Sequence, residues 1–420
     1  MIRKIIHTTL TKFLSSGIGF LTIILISQCL GPSGKGEQSI FLFNVFLLQL
    51  ILTSIGNSTL IYLGPRHSFR QLFIPSFLWV LMITGIMAII ATRFNTPIIS
   101  HHTELFTIGF MAAITEINYY ILLSKEEVGK ANNLRLIWQV ISILILIGLA
   151  ITKGLNSIEH YILSLIIGYS ISLIYGVFLL RKEYKTLRFI SLKELGSMFK
   201  LLAKLGGVKQ IGSIAQILNA RVMFHLIRIY VGSKSLGIFS NGVSITEAVL
   251  MLGTSMALVQ YSRLSNVSDE EYSKDITIKM TKANLAFSSL FLLVFIFLPD
   301  EFYQFVFGRD FSGISFIIRL LAIGYLLISF TTTFTQYFAS KGNFKITTSA
   351  SLLGLISTFG LGFWLVPSYG ITGAGITMTI SYLITFIVEY YYFKKWTGAR
   401  IKDFLITRED IKEAWNRVFK

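Results

Sequence analysis

Long apolar runs alternate with short polar segments along the whole chain. Each run holds about 20 residues, and an α-helix of that length crosses the ~30 Å hydrocarbon core of a bilayer. The pattern predicts an all-α polytopic membrane protein with about twelve transmembrane helices. The predicted spans are 10–30, 38–62, 72–93, 104–123, 134–152, 160–180, 205–230, 236–260, 284–303, 313–338, 348–366 and 374–393.

Composition and charge agree with this pattern and orient it. The chain is 53% hydrophobic and 14% charged, which leaves too few polar side chains to cover a soluble protein. Most of the basic residues fall at the N-terminus, in every second loop and in the tail, whereas the opposite loops hold Lys35, Arg93, Lys153, Lys234 and Arg309. This asymmetry accounts for the net charge of +17 and predicts that both termini are cytoplasmic.

The two halves of the chain share a weak repeat. The segment LGPSGKGEQS (30–39) resembles VGSKSLGIFS (231–240), with Gly31 aligned to Gly232. A duplicated six-helix unit predicts two bundles of the same orientation around a central cavity. The predicted domains are an N-terminal bundle at 1–180, a cytoplasmic linker at 181–204, a C-terminal bundle at 205–393 and a basic cytoplasmic tail at 394–420.

A polar stripe runs along the seventh predicted helix. At 100° per residue, Arg221, His225 and Arg228 fall within about 60° of one another, and Gln210 lies on the same face. A charge near the bilayer centre costs roughly 2.5–3.5 kcal/mol, so this face is expected to avoid lipid. One interpretation is a salt bridge between Arg221 and Glu247 that only holds a helical hairpin, with Arg228 snorkelling to the surface. The other is a cationic cavity wall for an anionic ligand, in which Glu247 orients Arg221.

Two further charged residues fall inside predicted spans. Arg319 either snorkels to the outer surface or joins the same cavity. Glu116 is either a protonatable coupling site or a hydrogen-bonding partner of a neighbouring helix. Glu389, beside the sequence YYYFKK, is expected to be interfacial.

Several classes of function lack their sequence signals. The segment GPSGKG (31–36) lacks the spacing of a phosphate-binding loop and follows no strand. No zinc motif, paired-cysteine motif or nucleophile elbow occurs. We therefore expect a transporter rather than an enzyme, with no cofactor, no metal site and no nucleic-acid partner.

Four segments carry a resemblance to a known family. They are LGPSGKGEQSIF (30–41), the stretch 209–252, FVFGRDFSGISFIIRLLAIGYLL (305–327) and LVPSYGITGAGITMTIS (365–381). In order and spacing they resemble the bacterial polysaccharide-transport flippases, which belong to the same superfamily as the multidrug and toxic-compound extruders.

The resemblance implies a fold and an activity. It implies two six-helix bundles around a cavity, and alternating-access transfer of a polyprenyl-diphosphate-linked oligosaccharide to the outer leaflet of the bacterial cytoplasmic membrane. The implied cargo is an O-antigen or capsule repeat unit, and the implied partners are membrane lipids, a polysaccharide polymerase and a chain-length regulator. Arg221 and Glu247 fall where the family has an arginine and a glutamate, whereas Met223 replaces an acidic residue often found there. That replacement argues against cation coupling by this segment.

Two other functions remain as alternatives. A multidrug exporter of the same superfamily would favour cationic drugs and an acidic cavity, whereas this chain places more arginine than carboxylate within its spans. A membrane polysaccharide polymerase or glycosyltransferase would need a catalytic constellation in a sizeable loop, and the predicted outer loops are too short to supply one.

Overall fold

The computed structural model describes residues 2–57, 59–94, 101–152, 154–188, 190–265, 267, 269–405 and 407–408. Within these residues the regular structure is helical, without strands. The helices are α1 (Ile2–Leu52), α2 (Thr59–Leu63), α3 (Phe69–Phe94), α4 (His102–Ser124), α5 (Val128–Thr152), α6 (Ile158–Leu179), α7 (Arg181–Tyr184), α8 (Leu192–Tyr230), α9 (Ser233–Ala248), α10 (Leu250–Leu264), α11 (Glu270–Phe297), α12 (Asp300–Phe307), α13 (Ile314–Ser340) and α14 (Phe344–Thr397), followed by a 3₁₀ turn at Ile401–Phe404.

The spans agree with the predicted count once the longest helices are divided. Eight helices of the described chain are long and apolar enough to cross a membrane, or nine if α9 and α10, bent by 42°, form one span. Two of the eight, α1 and α14, are about twice as long as a bilayer requires. Each is interrupted by a glycine with positive φ, Gly31 (65°) and Gly370 (57°), so each supplies two spans. Division of α1 and α14 adds two spans to the eight, the bent pair of α9 and α10 adds one, and the charged helix α8 adds another. The resulting twelve segments lie near the predicted positions, which confirms the polytopic all-α fold.

Several helices extend beyond the apolar runs that predicted them. The α8 helix begins at Leu192, inside the predicted linker, and α5 begins at Val128. The α11 helix begins at Glu270 because the Asp269 carboxylate accepts the N–H groups of Glu271 and Tyr272. Hydropathy marks only the lipid-crossing part of a helix, so these polar extensions were missed.

The chain divides into two compact units. Unit 1 comprises Met1–Ile214 with Val306–Asp310, and unit 2 comprises Ala215–Phe305 with Phe311–Lys420. The division falls inside α8, and the predicted domain limits remain predictions. Of the predicted tail at 394–420, the first residues complete α14, and residues 409–420 lie outside the described residues.

Unit 1 is packed through small residues between its helices. A Cβ added to Gly168 of α6 would lie 2.5 Å from Ser142 Oγ and 2.7 Å from the Trp138 carbonyl oxygen of α5. The hydroxyl of Ser142 donates to the carbonyl of Ser164 at 3.0 Å. Close approach of this kind is how membrane helices gain van der Waals contact without a hydrophobic driving force between them.

Unit 2 contains a ladder of buried polar contacts between α11 and α13. Asn284 Nδ2 donates to the Ser329 carbonyl at 2.7 Å, and Ser329 Oγ donates to Ser288 Oγ at 2.9 Å. One turn further on, the hydroxyls of Thr281 and Thr333 lie 2.7 Å apart. These contacts fix the register of the two helices, since a slip would leave polar groups unpaired away from water.

The α14 helix is broken near Gly370, where its backbone approaches itself closely. Pro367 lacks an N–H group and Gly370 adopts positive φ. Gly373 lies on the far side of the break, and a Cβ added there would meet the Leu365 carbonyl group, with its carbon only 2.5 Å away. Only glycine fits at this position.

Asp300, the first residue of α12, caps the N-terminus of the next helix, α13. Gly313, at the N-cap of α13, has no side chain to accept a hydrogen bond. The Asp300 carboxylate accepts the N–H of Gly313 at 2.6 Å and the N–H and hydroxyl of Ser315 at 3.2 and 3.1 Å. Partial burial raises the pKa of Asp300, but these hydrogen bonds outweigh that effect and hold the pKa below its usual value.

We predict that Gly373→Ala destabilises the protein, because the new methyl group overlaps backbone rather than a movable side chain. The expected loss is about 1–3 kcal/mol, the usual cost of overpacking. Thermal unfolding of the purified protein in detergent measures it. Gly360→Ala is the matched control, since it lies in the same helix with open space around it. Equal stability of the two variants would contradict the account of the break.

We predict that Asp300→Ala lowers the unfolding free energy by about 1–2 kcal/mol at neutral pH, as loss of a helix cap does. In the unchanged protein this contribution is present above the ordinary carboxyl pKa and disappears as the pH falls through the lowered one. Unfolding midpoints measured at neutral and acid pH should therefore converge for variant and wild type. Asp310→Ala, an exposed change in the connection between α12 and α13, should leave the midpoint unchanged at both pH values.

Candidate functional site: the basic face of α8

The second half of α8 presents its charged residues on the less buried side. Arg221, His225 and Arg228 are each half-buried. Met223 and Ile227, on the opposite side of the helix, are fully buried. A Cβ on Gly362 of α14 would lie 2.5 Å from Met223 Cε, so the helices pack closely there. The apolar side is thus fixed against α14, which turns the three basic residues away from it; we call these three the basic face.

The structure brings Arg221 and Glu247 together. Arg221 Nη2 donates to Glu247 Oε2 at 2.6 Å, and both side chains are less than one-third exposed. The Arg221 guanidinium also lies over the Phe224 ring, 5.0 Å from its centroid. The Tyr325 hydroxyl of α13 lies 3.5 Å from Glu247 Oε1 and its ring makes an edge contact with Tyr382. The carboxylate therefore orients the guanidinium, in a charge-assisted hydrogen bond.

Polar contacts of Asn219, two residues before Arg221, hold α8 in place. The Oδ1 atom of Asn219 accepts hydrogen bonds from the hydroxyls of Thr358 and Ser381. Ser381 also donates to the Gly354 carbonyl at 2.8 Å. Thr358 and Ser381 lie on either side of the break in α14, so one asparagine joins α8 to both parts of that helix.

The basic face groups two arginines and a histidine on one side of α8. It extends over about two helical turns, from Arg221 to Arg228 in the last turn of α8. Glu247 is the carboxylate bonded to Arg221. His225 stands between the two arginines. A face of this kind can accept an anionic group, since an arginine fork matches phosphate geometry.

Gln210, predicted on the same face of α8, has other partners. Its Oε1 accepts from Asn57 Nδ2 at 2.8 Å and its Nε2 donates to the Leu50 carbonyl at 2.6 Å, all within unit 1. The shared helical face was read correctly from the spacing. The chain nevertheless uses this end of it for buried hydrogen bonds.

Arg319 lies away from the basic face. Its side chain is exposed and Nε donates to the Ile296 carbonyl of α11 at 3.3 Å. Phe316 and Ile323 on the same side of α13 are also exposed, whereas Tyr325, which contacts Glu247, points in another direction. The structure therefore does not bring Arg319 together with Arg221.

Glu116 is paired within unit 1. Arg135 Nη2 of α5 donates to Glu116 Oε1 at 2.6 Å, and its guanidinium lies 4.4 Å from the centroid of the Tyr119 ring. The predicted span began at 134 and left Arg135 at its edge, whereas α5 begins at Val128 and places it in the second turn. Glu116 thus contacts a neighbouring helix, as one of its two predicted interpretations stated.

Two buried charged residues were missed from the sequence. Glu389, expected to be interfacial, is 2% exposed, and its carboxylate accepts from the Thr335 hydroxyl of α13 at 3.1 and 3.3 Å. Lys35, assigned to an outer loop, is 3% exposed within α1, and its Nζ donates to Gln38 Oε1 and Ser39 Oγ at 2.7 Å each. The polar residues that follow Lys35 three and four positions later were the one available signal of its burial.

No group of three or more His, Cys, Asp or Glu side chains within the described ranges could hold a metal ion. The arrangement at the basic face has charge complementarity for an anion, and the described contacts supply no nucleophile or paired acid and base beside it.

Several known proteins with related sequences are named for polysaccharide or glycan biosynthesis. The family model for "Polysaccharide biosynthesis protein" matches residues 1–266. The capsular polysaccharide biosynthesis protein CapF of Staphylococcus aureus is 24% identical over 169 residues, 39% of this chain and 42% of that protein. The probable low-salt glycan biosynthesis flippase Agl15 of Haloferax volcanii is 21% identical over 258 residues, 60% of this chain and 53% of that protein. The matched parts span about half the length of these relatives.

The fold has solved counterparts. The inward closed structure of the lipid II flippase MurJ superposes with a TM-score of 0.77 at 17% identity, covering 95% of this chain and 89% of that one. At this identity the likeness establishes the fold. The family match covers more than half of the chain and confirms the resemblance that the motifs indicated: this multi-pass membrane protein belongs to the family of polysaccharide biosynthesis proteins.

Proposed function

We propose that the protein flips a polyprenyl-diphosphate-linked oligosaccharide from the inner to the outer leaflet of a bacterial cytoplasmic membrane. The observation that carries this proposal is the Arg221 guanidinium, oriented by Glu247 at 2.6 Å within the basic face of α8. Membership of the polysaccharide biosynthesis family supports it, as do the printed names of a flippase relative and a flippase of the same fold.

The diphosphate is the part of such a substrate that this face recognises. A diphosphate is strongly anionic, and its oxygens can accept two parallel hydrogen bonds from one guanidinium. Glu247 keeps Arg221 in one orientation, so less side-chain entropy is lost when a phosphate binds. Arg228 extends the positive charge along the helix, and His225 between the two arginines can donate a hydrogen bond to a phosphate oxygen. The sugars occupy an aqueous cavity, and the prenyl chain stays in lipid.

Transfer proceeds by alternating access of two bundles, as the resemblance implies. Both termini are cytoplasmic, because the basic loops favour that side. The cargo is an O-antigen or capsule repeat unit, and a polymerase and a chain-length regulator act on it after transfer. Glu116, paired with Arg135 within unit 1, and Arg319, bonded to the Ile296 carbonyl, have supporting roles at most.

The leaflet distribution of lipid-linked oligosaccharide tests the proposal. Cells that lack the protein, and lack any redundant flippase, should accumulate the polyprenyl-diphosphate sugar on the cytoplasmic side and lose surface polysaccharide. Restoration by the wild-type protein completes the test. An unchanged distribution would contradict the proposal, and drug-efflux assays would then address the multidrug-exporter alternative.

We predict that Arg221→Ala reduces flipping about 10- to 100-fold, the effect of losing one hydrogen bond to a charged group. The double variant Arg221→Glu, Glu247→Arg separates binding from structure. It restores an ion pair between α8 and α9 but moves the guanidinium off α8. We expect this double variant to reach normal levels in the membrane but to lose flipping. Recovered flipping in this charge swap would instead support a salt bridge that only holds the helical hairpin.

We predict that Arg228→Gln also slows flipping, because it removes positive charge from the basic face while the length and polarity of the side chain stay similar. Lys234→Gln is the matched control. It removes the same charge a few residues away, at an exposed position in the first turn of α9. Initial flipping rates of the two variants are measured in proteoliposomes. Equal rates would mean that total positive charge, rather than its position on α8, determines the flipping rate.

A further inference from the structure

A cavity of about 460 Å³ opens at one end of unit 1, far in sequence from the basic face of α8. It is bounded by the end of α4, the start of α5, the end of α6 and the short helix α7. These ends belong to loops that the charge pattern assigns to the inner surface of the membrane. The proposed transport function does not use this cavity.

The cavity walls carry an excess of positive charge. Four basic side chains line it, together with two carboxylates: Lys125, Lys130, Arg181, Lys182, Glu127 and Glu183. Both carboxylates are already paired. Lys125 forms an ion pair with Glu183, and Lys130 bonds to Glu127 at 3.0 Å. Two positive charges therefore remain after this pairing.

Glu183 is held in its charged form. Partial burial raises its pKa, but the hydrogen bond from Lys125 and the nearby positive charge of Lys182 outweigh that effect and lower the pKa overall. The pair with Lys125 consequently persists at neutral pH. It leaves Arg181 and Lys182 as the groups available for an outside anion.

Arg181 is positioned by the last turn of α6. Its guanidinium lies over the Phe178 ring, 4.9 Å from the ring centroid. This contact holds the guanidinium, a group with five N–H donors, beside the cavity that Arg181 and Lys182 line.

An exposed apolar strip leads from the cavity along α6. Ile171, Ile174 and Phe178 follow one another at helical spacing, and Ile174 and Phe178 are 68% and 55% exposed. The interior of the cavity is also apolar, formed in part by the buried Leu122 and Leu180. A molecule with an anionic head and an apolar chain would match both surfaces.

We propose that this cavity binds the phosphate headgroup of an anionic membrane phospholipid, with its acyl chains along the exposed strip of α6. Arg181 and Lys182 contact the phosphate, and Lys125, fixed by Glu183, closes the other side. Phosphate is the recognised chemistry, and the apolar strip beside it favours a lipid over a soluble phosphate compound.

Native mass spectrometry of the full-length protein in detergent tests the site. The added probes are short-chain phosphatidylglycerol, phosphatidylcholine of the same chain length, and inorganic phosphate. The variant Arg181→Gln, Lys182→Gln removes the two available charges. The variant Lys185→Gln, Arg188→Gln is the matched control, because it removes the same charge from exposed positions of the same connection that do not line the cavity.

Wild-type protein and the control variant should bind phosphatidylglycerol in preference to phosphatidylcholine. The Arg181→Gln, Lys182→Gln variant should bind it roughly 10- to 30-fold more weakly, since each basic residue near a membrane surface contributes about fivefold. Each single change, Arg181→Gln or Lys182→Gln, should weaken binding about fivefold. These single variants provide the test if the double variant does not fold.

Three results would overturn the proposal. Equal loss in both double variants would mean that general surface charge attracts the lipid. Equal binding of phosphatidylcholine would mean that headgroup charge is not recognised. Displacement of phosphatidylglycerol by inorganic phosphate at matching concentrations would identify a site for a soluble anion. None of these results bears on flipping, so failure here is distinguishable from failure of the proposed function.

Discussion

The absence of water from the bilayer core is the constraint on which the rest of this structure depends. Backbone groups there must be satisfied within each segment, so the chain crosses as helices. Side-chain polar groups face the same demand and meet it between helices: Thr281 with Thr333, Asn284 with Ser329, and Asn219 with the two parts of α14. Because apolar side chains gain little from leaving lipid for protein, these polar contacts and the close approaches at glycine determine which helices pack together and in what register.

Charged groups inside the spans follow the same rule. Glu116 is matched by Arg135, and Glu247 by Arg221. The basic face of α8 places His225 and Arg228 on the same half-buried side of the helix as the Arg221–Glu247 pair. Charged and polar side chains within a span cost free energy compared with apolar ones. Their grouping on one side of the helix gives the proposed recognition of a diphosphate its physical basis.

The breaks in the two longest helices depend on glycine. At Gly31 and Gly370 the positive φ values require glycine, and beyond the second break Gly373 accommodates a neighbouring carbonyl group. Elsewhere a distant side chain completes a helix end, as Asp300 does for α13. These connections are short and are completed by contacts within the chain.

The sequence by itself determined the fold class, the approximate spans and the helical face shared by Arg221, His225 and Arg228, because hydropathy and helical periodicity are local properties of consecutive residues. It also allowed the pairing of Arg221 with Glu247, since two adjacent antiparallel helices place them at similar depth. Only the tertiary structure decided which way Arg319 points, that Arg135 lies beside Glu116, and that Glu389 and Lys35 are buried. Those outcomes depend on which helices approach and on how far each polar helix end extends, and neither is a property of one segment of chain.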